Sequence, residues 1–445
     1  MAEIVILGAG LTGLSAAYHL EKQGFFDYKI FEKENEPGGL CRSITQDGFT
    51  FDYTGHLLHI NDEYFTEFSN DIFGLDQFNH LSRKSWIYSQ ETYTPYPYQI
   101  NLYGLPTQTI VECIKGFIQK NPQNTETKTF VDWVMNNFGA GFAKHFFFPY
   151  QSKIFDFDVE KLSASWTGRF VPSTSLEDII TGSIKKPIDQ EIGYNCKFHY
   201  PKAGGINFLI KKISSKLRNP IQTNFESKTI DLKNKKITFK NGHVESFNKT
   251  ISTIPLDIFL KQTQNKELVK AANKLLCNTV LNFNIGVNHP NLSEKHWIYY
   301  PEIKYPFYRA GFPHNFSDSM APKNCSSMYG EISFLNKNTD FQKEQLTTAL
   351  DSIKKTLKIN NHEITTENIL TLKHAYVIYD EWRDNNLEKI LSTLETQNII
   401  STGRYGAWKY SSMQEAILDG RESTSKLIFQ LSNNLQKKRH NEQIL

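Results

Sequence analysis

The sequence predicts an α/β protein with at least two domains. Residues 3–32 read as an apolar strand, a glycine-rich turn, an amphipathic helix and a second strand, which is the order of a β-α-β unit. The 445 residues exceed what one hydrophobic core usually supports. Residues 225–255 alternate like strands, and Asn241-Gly242 between them is a strong hairpin signal. Residues of about 60–195 show helical patterns, and residues of about 260–390 contain further strand-like stretches. We therefore expect a Rossmann-like parallel sheet and a second, α+β domain that contains helices and a mixed or antiparallel sheet.

The glycine-rich turn has the spacing of a dinucleotide-binding motif. Gly8, Gly10 and Gly13 form G-x-G-x-x-G directly after the first strand. Because these positions lack side chains, the turn can close, a pyrophosphate can approach the helix N-terminus, and the helix can pack on the strand. Glu32 ends the second strand 19 residues after Gly13, where a carboxylate can accept hydrogen bonds from a ribose. The sequence therefore predicts that a dinucleotide binds here.

Composition and charge argue against several classes of protein. Lys and Arg number 50 and Asp and Glu 47, and these charges are scattered, so no nucleic-acid partner is expected. No run of 18 apolar residues occurs, so we expect no transmembrane helix, and residues 3–7 read as a strand rather than a secretory signal. Widely separated cysteines argue against disulfides and zinc and favour a reducing compartment, which we take to be the cytoplasm. They are Cys41, Cys113, Cys196, Cys277 and Cys325.

A second glycine pair narrows the choice of dinucleotide. Gly38-Gly39 followed by Arg42 would let the backbone approach the same pyrophosphate while a guanidinium neutralises it. The alternative is an ordinary loop with a solvated arginine. With this motif the sequence resembles the FAD-dependent amine oxidase superfamily, in which such a glycine pair and basic residue follow the ribose-binding acid. The resemblance implies that the cofactor is FAD rather than NAD.

The same superfamily assembles its Rossmann-like, GR2-type FAD domain from separated segments, and the strand patterns here are consistent with that order. Residues 250–255 read as a strand that returns to the FAD domain. The segments expected in the FAD domain are 1–60, 196–258 and 391–432. The segments expected in the substrate domain are 61–195 and 259–390, followed by a polar C-terminal tail, read as a solvated helix end, at 433–445.

The stretch "FDYTGHLLHI", residues 51–60, contains a Gly-His pair, Gly55-His56. His56 and His59 could pair on a metal, but His-x-x-His without a third nearby ligand is seldom a metal site, so no metal is expected. A surface loop is another alternative. The pair also resembles UDP-galactopyranose mutases, flavoenzymes of this superfamily in which the loop lies against the isoalloxazine. The resemblance implies that Gly55 and His56 contact the flavin.

Further blocks resemble the mutases in the same order along the chain. In residues 93–106, "YTPYPYQINLYGLP", the resemblance places Tyr98 and Gln99 in the nucleobase pocket. A later Pro-Phe-Tyr-Arg run implies that Arg309 binds the substrate diphosphate, with Tyr299 ten residues before it. An arginine suits this role because its guanidinium can form paired, charge-assisted bonds to phosphate.

The last block, "GRYGAWKYSSMQ", follows the same resemblance, which places Gly403 and Arg404 against the flavin and Tyr410 toward the diphosphate. Tyr379 is matched as a phosphate-side tyrosine. The chain has 21 tyrosines, most of which must simply pack, so the ordered series of matches carries more weight than any one of them.

The predicted site residues fall into three groups. The cofactor-binding residues are Gly8, Gly10, Gly13, Glu32, Gly38, Gly39, Arg42, Gly55, His56, Gly403, Arg404 and Met413. The substrate-binding residues are Tyr98, Gln99, Tyr299, Arg309, Tyr379 and Tyr410. The catalytic residues are Gly55, His56, Arg309 and Tyr410.

Departures from the mutases cluster on the sugar and diphosphate side. Mutases commonly have Pro-Tyr-Asn-x-Lys-Val-Trp, whereas residues 149–155 read Pro-Tyr-Gln-Ser-Lys-Ile-Phe. They also commonly have an arginine two residues after the glycine that follows a tryptophan. Here Trp166-Thr167-Gly168 is followed at once by Arg169, so the second diphosphate arginine is displaced by one place or lost. The flavin motifs are intact, so the resemblance supports FAD more strongly than galactose.

Two functions are consistent with these motifs. The mutase resemblance implies redox-neutral ring contraction of a nucleoside-diphosphate sugar, from pyranose to furanose, through a reduced-flavin sugar adduct. It also implies an electron donor such as NAD(P)H or a reductase. The alternative is an oxidase or dehydrogenase of the amine oxidase or protoporphyrinogen oxidase type. The Tyr-Gln and Tyr-Arg blocks favour the mutase, and the absence of a cysteine near Gly403 favours FAD held without a covalent bond.

Overall fold

The computed structural model describes residues 2–120, 127–168, 171–186 and 196–442. The strands are β1 (Ala2–Leu7), β2 (Tyr28–Phe31), β3 (Ser43–Gln46), β4 (Phe49–Asp52), β5 (Phe78–Ser82), β6 (Ser85–Ser89), β7 (Thr92–Pro95), β8 (Lys197–Pro201), β9 (Ile221–Gln222), β10 (Ser227–Asp231), β11 (Lys236–Phe239), β12 (Val244–Ser252), β13 (Thr279–Val287), β14 (Trp297–Tyr299), β15 (Arg309–Gly311), β16 (Ser326–Phe334), β17 (Ile364–Leu372) and β18 (Ile399–Ser401).

The α-helices are α1 (Leu11–Lys22), α2 (Glu63–Phe68), α3 (Thr107–Ile118), α4 (Phe130–Asn137), α5 (Gly139–Phe142), α6 (Phe148–Phe155), α7 (Leu176–Ile184), α8 (Asn207–Ser214), α9 (Leu256–Gln262), α10 (Lys266–Ala272), α11 (Thr339–Leu357), α12 (Glu381–Thr396), α13 (Gly403–Gly406) and α14 (Met413–Glu442). Short 3₁₀ or π turns cover Ser69–Phe73, Leu75–Gln77, Tyr98–Ile100, Ala143–Phe147, Val159–Lys161, Pro313–Asn315, Asp318–Met320 and Asn361–Glu363.

Five parallel strands form the Rossmann-like sheet that the sequence predicts, in the order β18-β12-β1-β2-β9. The central strand β1 is an uninterrupted apolar run, and its Ile4, Val5 and Ile6 are fully buried, as expected for a parallel strand covered on both faces. The Asn241-Gly242 turn joins β11 to β12, and β10 and β11 extend the first half of β12 as an antiparallel ribbon. The predicted α/β fold is confirmed.

The first and last helices of the chain pack against each other beside this sheet. A Cβ on Gly420 would lie 2.5 Å from the Thr12 carbonyl oxygen, so α14 crosses α1 at nearly backbone distance. The Ser15 hydroxyl donates to the Ile417 carbonyl oxygen at 2.6 Å, and the Thr424 hydroxyl donates to the Ala16 carbonyl oxygen at 3.1 Å. This packing brings the start of α14 next to the glycine turn after β1.

A second sheet of seven strands has the order β17-β13-β16-β15-β14-β6-β7. All its neighbours are antiparallel except β14 and β6, which makes it the mixed sheet that the sequence predicts. Strand β8 does not join the parallel sheet and pairs instead with β5. The division into an FAD domain and a substrate domain at the stated boundaries stays a prediction.

Other features bear on the remaining predictions. Helix α14 continues to Glu442, into the segment that the sequence analysis treats as a polar tail. All five cysteines are free thiols. Among the described residues, no helix combines the length and the apolar character that a membrane span needs, and no group of three possible metal ligands occurs. A cytoplasmic location stays a prediction.

Candidate active site

The turn between β1 and α1 is built from backbone alone. Gly8 has φ +94°, a left-handed conformation that glycine adopts without strain. A Cβ on Gly13 would lie only 1.9 Å from the Gly8 carbonyl oxygen, so only glycine lets α1 start this close to the turn. Gly10 precedes α1 without a side-chain cap, which leaves the first N–H groups of a twelve-residue helix available to an anion.

The second glycine pair faces the first turn. A Cβ on Gly39 would lie 3.4 Å from the Gly10 Cα, so two bare stretches of backbone oppose each other. The Gly38 N–H donates to the Ala9 carbonyl oxygen at 2.9 Å and ties the two turns together. Arg42 is held beside them, with Nε donating to the Gly39 carbonyl oxygen at 2.9 Å. The N–H groups at the start of α1, the Arg42 guanidinium and the lack of Cβ atoms on the facing glycines together fit a bound pyrophosphate.

Glu32 lies at the end of β2 and is 5% exposed. Its two carboxylate oxygens accept hydrogen bonds from the Ala9 N–H at 2.8 Å and the Glu34 N–H at 3.0 Å. These bonds orient the carboxylate, and each oxygen retains a lone pair for a ribose hydroxyl. This part of the site fits the ribose of FAD.

The predicted flavin-facing loop packs against the second sheet. A Cβ on Gly55 would lie 2.0 Å from the Tyr329 hydroxyl oxygen on β16, so this glycine is required for close approach. Thr54 before it has φ +91°, which is unusual for a β-branched residue. Burial lowers the pKa of His56 to about 4, with a smaller contribution in the same direction from Arg404 and Arg309, whose positive charges disfavour a third one nearby. His56 is therefore neutral at neutral pH.

The last block meets the first helix at Gly403. This residue has φ +80°, and a Cβ on it would lie 2.6 Å from the Thr12 hydroxyl oxygen on α1. The Arg404 guanidinium donates to the Ser411 carbonyl oxygen at 2.7 Å and lies 4.9 Å from the centre of the Tyr410 ring. Met413 begins α14 and packs against the core beside the parallel sheet. The predicted cofactor residues from both ends of the chain therefore line one region.

Arg309 on β15 forms a buried ion pair that the sequence analysis did not predict. Its Nε and Nη2 each lie 2.8 Å from a carboxylate oxygen of Glu331, which is fully buried on β16. The two residues are direct partners in the β15–β16 ladder. Two of the three guanidinium nitrogens are thus engaged by Glu331, which leaves the N–H bonds of Nη1 for a ligand.

Tyrosine rings surround this arginine. Tyr299 lies opposite Arg309 in the β14–β15 pair, and the Tyr150 ring meets the Tyr299 ring edge-on with centres 5.3 Å apart. Tyr376 stacks on Tyr410 with centres 6.2 Å apart and planes 14° apart. Burial raises the pKa of Tyr376 to about 12, so its hydroxyl is protonated and can donate a hydrogen bond at neutral pH. The pocket thus offers neutral donors beside two arginines.

Three of these residues were missed from sequence: Tyr150, Tyr376 and Glu331. Tyr150 lies inside the Pro-Tyr-Gln-Ser-Lys-Ile-Phe block described above, and Tyr376 lies three residues before the predicted Tyr379. The sequence therefore contained a recognisable motif or a nearby predicted residue from which each tyrosine could have been proposed. Glu331 gave no such signal because its partner is set by strand register.

Three predicted substrate residues lie deeper than expected. Tyr98 is fully buried, and its ring stacks on Phe146 at 5.0 Å in the helical core. Gln99 is 1% exposed and donates to the Pro172 carbonyl oxygen at 2.7 Å. The Tyr379 hydroxyl accepts a hydrogen bond from the Tyr410 N–H at 2.7 Å, which makes it a support for that tyrosine. Their contact with substrate stays a prediction, and Arg169 lies outside the described residues.

Comparison with known families decides the class of the site. The family model for flavin containing amine oxidoreductases matches residues 11–427. The chain belongs to this family. It is a flavoenzyme of the amine oxidase superfamily, and membership implies FAD as the cofactor. This agrees with Glu32 and with the two facing glycine turns, Gly8 to Gly13 and Gly38-Gly39, which we call the glycine cradle.

Individual relatives differ in their activity, and they include a mutase as well as oxidases. A crystal structure of reduced UDP-galactopyranose mutase has a TM-score of 0.88 and 28% identity, covering 96% of this chain and 94% of that one. Putrescine oxidase bound to putrescine, at TM-score 0.66 and 14% identity over 96% and 99%, shares the fold. Coproporphyrinogen III oxidase from Staphylococcus aureus is 34% identical over 118 residues, which is 26% of this chain and only 24% of the relative's length.

Proposed function

We propose that the protein is an FAD-dependent sugar-nucleotide mutase that contracts the ring of a nucleoside-diphosphate sugar from pyranose to furanose. The observation that carries the proposal is the cluster of two arginines and several tyrosines beside the His56 loop. A diphosphate needs such donors, whereas a lipophilic or amine substrate does not. The 28% identity to a reduced UDP-galactopyranose mutase over nearly the whole chain supports the same substrate class.

The glycine cradle, Arg42 and Glu32 would hold FAD without a covalent bond, since the sequence block around Gly403 contains no cysteine. In its reduced form FAD would supply the electron-rich centre that acts on the sugar, so an electron donor such as NAD(P)H or a reductase is needed. The close approach of Gly55 to the Tyr329 side chain limits the freedom of the His56 loop, and this would fix the position of the sugar relative to the cofactor.

The chain's own side chains would bind and orient the leaving diphosphate. Arg309 would use its remaining nitrogen, and the hydroxyls of Tyr299 and Tyr410 would donate without adding charge. His56, which is neutral, leaves the cationic character of the pocket to the two arginines. Tyr379 would hold the Tyr410 backbone, and the Tyr376 ring stacked on Tyr410 would orient its side chain.

An oxidoreductase function is the second candidate. The curated relatives with matching segments are named as an oxidase and as desaturases, including a zeta-carotene-forming phytoene desaturase from Myxococcus xanthus that is 47% identical over 64 residues. That match covers 14% of this chain and 12% of the relative. The flavin-side residues would serve either reaction, so the choice between the two functions rests on which substrate the residues on the other side bind.

The test is a titration of the FAD-loaded protein with UDP, dTDP and GDP by calorimetry, followed by chromatography of UDP-galactopyranose after incubation with dithionite-reduced protein. Arg309→Lys keeps the charge but loses the planar fork, and we expect binding to weaken by about 1.5–3 kcal/mol. Arg218→Lys is the control, because Arg218 stacks on Phe26 away from the pocket. Absence of binding by all three nucleotides would reject the mutase, and oxygen uptake with amines and porphyrinogens would then test the oxidase.

A further inference from the structure

Lys153 on α6 is surrounded by main-chain oxygens. Its ammonium group donates to the carbonyl oxygens of Tyr300 at 2.5 Å, Glu302 at 3.0 Å and Phe307 at 2.7 Å. A lysine ammonium has three N–H bonds, so every donor is used and none remains for a ligand. The group therefore acts on the backbone and does not contact substrate.

All three carbonyl groups belong to the loop that connects β14 to β15. Tyr300 lies on the outgoing side of this hairpin and Phe307 on the returning side, so Lys153 bridges both sides. Tyr299 and Arg309 are the residues on either side of the loop, and they are direct partners in the β14–β15 ladder. The ammonium thus holds the loop whose two ends carry pocket residues.

Helix α6 contacts the same hairpin a second time. Tyr150 lies one turn before Lys153, and its ring meets Tyr299 edge-on at 5.3 Å. The helix is itself anchored to the second sheet, because the Asn278 side-chain amide donates to the Ile154 carbonyl oxygen at 2.7 Å. The hairpin is consequently held by a helix that is itself hydrogen-bonded to the residue before β13.

We propose that Lys153 is a positioning residue that holds the β14–β15 hairpin so that Tyr299 and Arg309 face the same anionic ligand. The anionic ligand rests on the proposed function. An apolar side chain would leave three enclosed carbonyl oxygens without a donor, and the loop would have to turn them toward water. A guanidinium is planar and cannot converge on three oxygens in the same way.

The experiment compares the FAD-loaded wild type with Lys153→Met. Lys161→Met is the matched control, since Lys161 is 70% exposed and makes only a surface pair with Asp158. Hydrogen–deuterium exchange of residues 297–311 reports the hairpin, calorimetry reports UDP binding, and the 450 nm absorbance region reports FAD content. We expect faster exchange confined to the hairpin and UDP affinity lowered about tenfold to a hundredfold, the usual loss when a supporting group is removed from behind a binding residue. FAD content should stay unchanged.

A double variant separates positioning from a general loss of structure. If Lys153 acts through the hairpin, Lys153→Met should weaken UDP binding much less in a Tyr299→Phe background than in the wild type. Additive losses, an unchanged exchange rate in residues 297–311, or a parallel fall in FAD content would each overturn the proposal. Lys153→Gln, whose amide keeps two N–H donors, should give an intermediate effect and serves if Lys153→Met does not fold.

The measurements distinguish a failure of the proposed mutase function from a failure of the proposed role of Lys153. If the wild type binds no nucleoside diphosphate, the mutase is rejected, while the exchange measurement still tests whether Lys153 holds the hairpin. If the wild type binds UDP but Lys153→Met binds it equally well, the mutase stands and the positioning role is rejected.

Discussion

Removal of the Arg309 side chain should destabilise the folded protein as well as weaken ligand binding. Glu331 is fully buried and meets Arg309 through two bonds of 2.8 Å, so Arg309→Met leaves a buried carboxylate without its partner. Breaking such a pair typically costs about 3–5 kcal/mol, whereas a double change to uncharged side chains removes the unpaired charge. We therefore expect Arg309→Met/Glu331→Gln to be less destabilised than the sum of its single variants by about 2 kcal/mol.

The assay is guanidinium chloride unfolding of the FAD-loaded wild type, both single variants and the double variant. The free energies of unfolding are compared with one common slope for their dependence on denaturant concentration. Lys240 and Glu226 form the control pair, because they lie 2.6 Å apart but are 59% and 46% exposed. Their coupling should stay below about 1 kcal/mol. If the Arg309 and Glu331 effects simply add, or if Arg309→Met costs less than about 1 kcal/mol, the pair does not hold β15 to β16 in the way described.

The other predictions concern the cofactor cradle and pH. Gly13→Ala should abolish FAD retention, because its Cβ would lie 1.9 Å from a carbonyl oxygen of the turn. Gly168→Ala is the control, because a Cβ there meets no atom within 4 Å, and it should keep the wild-type ratio of flavin to protein absorbance. The pKa of His56 is about 4 against an ordinary 6.5, so the unfolded chain binds the proton more readily and stability should fall as pH drops from about 6.5 to about 4. An NMR titration should locate that pKa, and a His56→Gln variant with an unchanged pH slope of the unfolding free energy would contradict it.

The elements best predicted from sequence are those fixed by local chemistry. The glycine turns, the acid after β2 and the hairpin at Asn241-Gly242 each depend on residues close in the chain, where backbone conformation limits the allowed side chains. The five-stranded parallel sheet follows from the apolar run of β1 and its β-α-β order.

Residues paired across the second sheet could not be read in this way. Glu331 stands in an otherwise strand-like stretch, and its pairing with Arg309 depends on the register of β15 and β16, which no local pattern encodes. The same limit applies to the tyrosines, since packing decides that Tyr376 reaches the pocket and that Tyr98 enters the helical core. Lys153 occurs in a recognised motif, but only the closed hairpin gives its ammonium three acceptors.

The crossing of α1 and α14 has a consequence for synthesis. Gly403 and Gly420 rest on Thr12, so the region beside the first glycine turn is completed by residues that are synthesised long after the turn itself. A nascent chain that has emerged only through β17 has both glycine turns and Glu32 but lacks Arg404 and the start of α14. The final geometry of this region therefore forms only after α14 has been synthesised, and until then the face of α1 that α14 covers stays exposed.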